Sequence, residues 1–137
     1  NPDSMKAGLD GLLRWKAGAE TQPFRIAVLG AMLELGPDEK DLHVGIGRYA
    51  LEGGVDALLT VGSASDASLD ALAGAMADGA SSAGDASHVD WVHDIDEADR
   101  LVTRLAVEHP GAVVLLKGSH ASGLSALAER WQALAAQ

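Results

Sequence analysis

A chain of 137 residues has the length of one domain and can bury about two thirds of the surface that its unfolded form exposes. Ten basic residues against twenty acidic ones leave a net charge of -10, which repels nucleic-acid phosphates and anionic membrane surfaces alike. Cysteine is absent, so disulfides, thiolate metal sites and a cysteine nucleophile are excluded.

Asn1 reads as a helix N-cap with Pro2 at the first helical position, where its missing N–H costs nothing. This opening has no basic stretch followed by an apolar one, so it is not a secretory signal, and a cytoplasmic origin is expected. It does not begin with methionine, so the chain is expected to be a piece of a longer one. Met5, Leu9, Leu12 and Leu13 recur at helical spacing, and the helix is expected to stop near Gly18. Arg25 to Leu29 is a short apolar run closed by Gly30 and reads as a buried strand. Ala31 to Lys40 reads as a loop broken at Gly36-Pro37. From about Asp38 a helix runs to Gly53-Gly54, with Leu42, Ile46, Tyr49 and Ala50 on one face.

Ala57 to Val61 is the second strand, closed by Gly62. Leu69, Leu72, Ala73 and Met76 mark the next helix, and Gly79 to Ser87, all small or acidic, reads as a loop. His88 to His93 is a more polar strand, expected near a sheet edge. Ala98, Leu101, Val102 and Leu105 mark a helix that ends by His109-Pro110. Ala112 to Leu116 is the strongest strand signal in the chain, and Leu124, Leu127, Ala128, Trp131 and Leu134 form the last helix. Continuous apolar strands alternating with amphipathic helices predict an α/β fold: a mostly parallel sheet covered by helices on both faces, three layers in one domain.

In such folds ligands bind outside the carboxyl ends of the strands. Those ends read Gly30-Ala31-Met32, Gly62-Ser63, His93-Asp94 and Lys117-Gly118-Ser119-His120. The last sets one ammonium group beside backbone N–H donors expected to be free, a pairing suited to a carboxylate or phosphate. Gly45-Ile46-Gly47-Arg48-Tyr49-Ala50 matches a dinucleotide pattern but lies within a helix and follows no strand. Its glycines are better read as permitting close helix packing. His88 and His93 stand five apart on a strand and face opposite ways, so they share no metal. Asp94 reads as an N-cap, and His43 as a packed or capping histidine.

Four segments in order resemble the Mur ligases. Asn1-Pro2-Asp3-Ser4-Met5 resembles the end of their Y-N-A-N-P-x-S-M stretch, and Gly30 to Gly36 their G-D-M-x-E-L-G loop. His43-Val44-Gly45 follows at the family's distance, and Lys117-Gly118-Ser119 resembles their K-G-S-R segment. The resemblance covers nearly the whole chain. It is strongest to the members that add D-alanyl-D-alanine to UDP-N-acetylmuramoyl-tripeptide, in the cytoplasm, for peptidoglycan. It implies a Rossmann-like carboxy-terminal domain, third of three, that closes over nucleotide and dipeptide and is inactive alone. ATP and Mg2+ would be held mainly by a central domain carrying a P-loop, and no cofactor is expected in this chain by itself. The family's reaction forms an acyl phosphate from the tripeptide carboxylate, which the dipeptide amine then attacks.

The same resemblance puts Lys117, Gly118, Ser119 and His120, with Gly62 and Ser63, on the dipeptide side, and Asn1 on the nucleotide side. Glu34 and His43 belong to the family pattern without an assigned step. No residue of this chain is implied as catalytic and none as a metal ligand. Ala31 stands where the family usually has an acid, and His120 where it commonly has arginine. Alternative readings are another Mur ligase, a folylpolyglutamate synthase, or a non-catalytic binding module. A phosphoacceptor receiver domain would need a pair of acids after the first strand, and Gly30-Ala31-Met32 lacks them.

Overall fold

The computed structural model describes residues 1–15, 22–85 and 88–135, and of His120 only the backbone. Helix α1 spans Pro2–Arg14, with the Asn1 side chain accepting the Ser4 N–H at 2.8 Å. It closes at Arg14, ahead of the expected end near Gly18, which lies outside the described residues. Arg25, at the head of β1 (Arg25–Gly30), is 4% exposed and gives that closure a cause. Its guanidinium donates to the carbonyls of Leu12 at 3.1 Å and Trp15 at 3.2 Å, and so caps the negative end of α1 with a buried cation.

After β1 come α2 (Glu39–Gly53), β2 (Ala57–Val61), α3 (Ala67–Ala83), β3 (Val89–Val92), α4 (Ile95–Glu108), β4 (Val113–Lys117), a 3-10 turn (His120–Ser122) and α5 (Leu124–Ala135). The strands lie in the order β3-β2-β1-β4, all parallel, with Leu29 level with Thr60 on one side and Lys117 on the other. Every residue of β1 and β2 is buried, as their unbroken apolar runs require of a sheet covered on both faces. Ala27, Leu29 and Leu58 pack with α1, α2 and α3; Ile26, Val28, Leu59 and Val61 pack with α4 and α5. Asp99 fastens α5 to α4, accepting the Trp131 indole N–H at 2.8 Å and pairing with Arg130 at 2.9 Å.

One sequence expectation changes here. The segment from Gly79 to Ala83 is helix, not loop. Small residues that look like a linker serve close packing here: a Cβ on Gly79 would overlap the Val44 carbonyl, and one on Gly47 the Met76 carbonyl. Gly45 has open space instead and takes no part in that approach. β4, the strongest strand signal in the sequence, forms one edge of the sheet and is only half-buried along its length. β3 is the other edge, as its polarity predicts.

Candidate functional site

Chain order along the sheet reverses between β1 and β4, because β1 leads to β2 on one side while β4 lies on the other. The switch point, where sheets of this kind bind ligands, therefore lies at the carboxyl rim where Gly30-Ala31-Met32 and Lys117-Gly118-Ser119 end. These two strand ends touch. A Cβ on Gly118 would stand 2.9 Å from the Gly30 Cα, and one on Gly30 would overlap the Ser122 side chain. Only glycine at both positions lets the backbones meet with Ser122 seated over them.

The loop after β4 is tied down by its own backbone. The Ser119 N–H donates to the Ala31 carbonyl at 3.3 Å, and the Ser119 carbonyl accepts the Ser122 N–H at 3.0 Å and hydroxyl at 2.6 Å. The expected free donors beside the lysine are thus already engaged at Ser119 and Ser122. What the loop offers instead is the Ser119 hydroxyl, buried and without a partner among the described residues. Lys117 shares the face of Val113 and Leu115, and its stem crosses α1 at Gly8, where a Cβ would come within 2.9 Å of the lysine Cδ. No ion pair engages its ammonium among the described residues.

Helix α1 runs antiparallel to β4, with Gly8 beside Leu115 and Lys117 and with Gly11, Leu12 and Trp15 lower, beside Val113. At 1.5 Å per residue its first seven residues reach about 10 Å beyond Lys117, so Asn1 and the positive end of α1 overhang the same rim. Lys6 lies 5.4 Å from the centre of the Tyr49 ring, whose hydroxyl donates to Asp10 at 2.6 Å and holds α1 to α2.

Gly62 and Ser63 end β2, two strands from Lys117, a separation of about 10 Å across the sheet. They share the rim but pair with other groups. The Ser63 N–H donates to Asp70 Oδ1 at 3.1 Å, and His93 Nδ1 meets the same oxygen at 2.7 Å. The Ser63 hydroxyl accepts the N–H groups of Ser65 and Asp66. The Asp70 hydrogen bond lifts the His93 pKa above its ordinary value. Asp70 escapes a sequence reading, because only folding brings this helix residue to the ends of two strands. Asp94 caps α4 as expected, accepting the Glu97 N–H at 2.8 Å. His88 lies at the opposite rim, edge-on to Phe24, far from His93.

Glu34 is exposed and has φ of 60°, in the left-handed region that non-glycine residues rarely adopt. His43 is fully buried. Its Nε2 accepts the Met32 N–H at 2.9 Å, and its Nδ1 donates to the Glu39 carbonyl at 2.6 Å. Both partners require the neutral ring, and burial holds its pKa below the ordinary value. The side chain of His120 lies outside the described residues.

Among the described residues no group of three His, Asp or Glu side chains could hold a metal, and no helix is long and apolar enough to cross a membrane. Residues 1–120 match the family model for the Mur ligase, glutamate ligase domain. UDP-N-acetylmuramoyl-tripeptide–D-alanyl-D-alanine ligase of Mycobacterium bovis is 39% identical across 94% of this chain, and that of Mycobacterium leprae 40% across 94%. The chain spans only 26% and 25% of those relatives. MurF from Acinetobacter baumannii superposes with a TM-score of 0.67 at 24% identity, over 92% of this chain and 24% of that one. MurF from Thermotoga maritima, solved with ADP, gives 0.61 at 23% identity, over 94% and 25%. These two likenesses establish a shared fold.

Proposed function

Because this chain belongs to the Mur ligase family, we propose that residues 1–137 form the third, carboxy-terminal domain of a cytoplasmic ligase that joins D-alanyl-D-alanine to UDP-N-acetylmuramoyl-tripeptide. The observation that carries this reading is the likeness of 94% of the chain to ligases bearing that name. Lys117, without an ion pair among the described residues and standing at the switch point, supports the reading.

In this reaction the γ-phosphoryl group of ATP passes to the tripeptide carboxylate. The dipeptide amine then attacks the acyl carbon, its proton leaves, and the C–O bond to phosphate breaks. Among the described residues no donor set fits a resident Mg2+; the family resemblance assigns the ion and the bulk of the nucleotide site to other domains. The third domain orients the nucleophile, which is worth more the less it can wander from attack geometry. The Lys117 ammonium attracts the dipeptide carboxylate. Asn1 and the positive end of α1 lie toward the nucleotide. Closure of this domain over both substrates removes water and completes the site. The chain alone turns over no ATP.

In the full-length enzyme, Lys117→Ala raises KM for D-alanyl-D-alanine by about 10- to 100-fold, as loss of a charge-assisted contact implies, and moves KM for ATP less than about twofold. Equal loss for all three substrates would overturn the assignment of Lys117 to the dipeptide.

A further inference from the structure

The chemistry above leaves His43 unused, although the ring is buried and both its nitrogens are engaged. We propose that His43 is a positioning residue for the incoming dipeptide: it fixes the peptide unit between Ala31 and Met32, and through it the Gly118-Ser119 loop that follows Lys117. The inference rests on the ligase reading of the rim.

The Ala31 carbonyl and the Met32 N–H belong to one peptide plane, and a trans peptide points them in opposite directions. His43 Nε2 takes the N–H at 2.9 Å; the Ser119 N–H takes the carbonyl at 3.3 Å. Turning that plane would break both bonds together. His43 is fixed in turn, because its Nδ1–H is held by the Glu39 carbonyl at 2.6 Å, one helical turn back on α2. A continuous path therefore runs from α2 through one rigid plane to Ser119, in the loop that follows Lys117. The plane needs a latch, because the segment that follows contains two left-handed residues, Glu34 at φ 60° and Gly36 at φ 81°, and it forms no strand. Burial keeps the ring neutral, which leaves Nε2 free to accept. The backbone and carboxylate of Glu39 pull the other way, so the ring stays neutral because it is dry.

Three variants test this. His43→Leu keeps the bulk and loses both bonds. His43→Gln can donate to Glu39 and accept from Met32. His43→Asn is too short to reach Met32. Amide hydrogen exchange is followed by NMR on the 137-residue chain without substrate, and KM is measured in the full-length enzyme. In His43→Leu the amides of Met32 and Ser119 should exchange at least about tenfold faster while that of Leu59, in β2, keeps its rate. KM for D-alanyl-D-alanine should rise about fivefold or more, with KM for ATP moving less than about twofold. His43→Gln should restore both readouts. Should His43→Leu fail to fold, the contrast between His43→Asn and His43→Gln carries the same comparison.

Unchanged exchange at Ser119 in a folded variant that lacks the Met32 bond overturns the proposal. So does acceleration at Ser119 and Leu59 by equal factors, which would be ordinary loss of stability. The ligase reading fails separately: Lys117→Ala without effect on dipeptide KM sinks that reading, while exchange at Ser119 still decides whether His43 governs the loop.

Discussion

The carboxyl rim has two halves built on different chemistry. Where β1 and β4 end, the contacts are backbone to backbone, closed by Ser122 and by a neutral, fully buried histidine. Where β2 and β3 end, an acid and a histidine meet in partial exposure, with side chains 22% and 47% accessible. Both halves hold strand-end loops in place, but the first excludes water and the second relies on charge that water screens. The difference teaches where precision is kept. Lys117 and the Ser119 hydroxyl, which has no partner among the described residues, belong to the first half, whose geometry has few alternatives. The ionic half can adjust as solvent or substrate requires.

The comparison is broken most severely by a methyl group on the dry half. Gly30→Ala drives its Cβ into Ser122, which is itself bonded to the loop and cannot withdraw freely. We expect a loss of about 2–3 kcal/mol, the cost of overpacking a site without slack, read as a lower urea midpoint at unchanged slope. Ser122→Gly in the same chain should restore a good part of it. Absence of rescue would mean that the Gly30–Gly118 approach, and not Ser122, sets the constraint.

Local pattern made the elements legible. Arg25 to Gly30 and Ala57 to Val61 are apolar runs closed by glycine, and Asn1 and Asp94 sit as N-caps where helices begin. What sequence could not carry was set by partners distant along the chain. Val113 to Leu116 has the composition of a central strand, and only the crossover after β3 puts it at the edge. Gly79 to Ala83 has the composition of a linker, and only the approach of Val44 makes it helix. The candidate site shows the same division. Lys117, Gly118 and Ser119 could be named from their place after a strand. The bond from Ser119 to Ala31 and the one from His43 to Met32 could not, because each joins segments whose spacing in sequence says nothing about their meeting.

Acid sharpens the comparison with a smaller effect. Burial lowers the folded pKa of His43 from its ordinary 6.5, so below that value the unfolded chain binds a proton that the folded chain refuses. The stability that depends on the neutral ring is therefore complete above about pH 6.5 and is lost as pH falls through that value toward the folded pKa. Denaturation midpoints taken from about pH 7.5 down to about 5 should decline, and His43→Gln should flatten the His43 share of the decline. A slope unchanged in His43→Gln would place the proton uptake elsewhere.

The ionic half should respond in the opposite sense and most weakly. The Asp70 hydrogen bond raises the folded pKa of His93, so its contribution is complete below the unfolded value of 6.5 and is lost as pH rises through the folded pKa. The groups facing the ring are Asp70 on α3 and, on its own side, Asp94 and Glu97. Asp70→Asn removes the carboxylate, so the His93 proton resonances should titrate at lower pH than in the parent chain. Because His93 is solvent-accessible, little change in denaturation midpoint should accompany that shift. Weakening of the Ser63 bond is the more visible consequence: the acceptor becomes a neutral amide oxygen in place of a carboxylate, and the Ser63 N–H should exchange faster. If Asp70→Asn also accelerated exchange at Ser119, the two halves would be one cooperative unit, and the dry side would owe its order to the charged side rather than to His43.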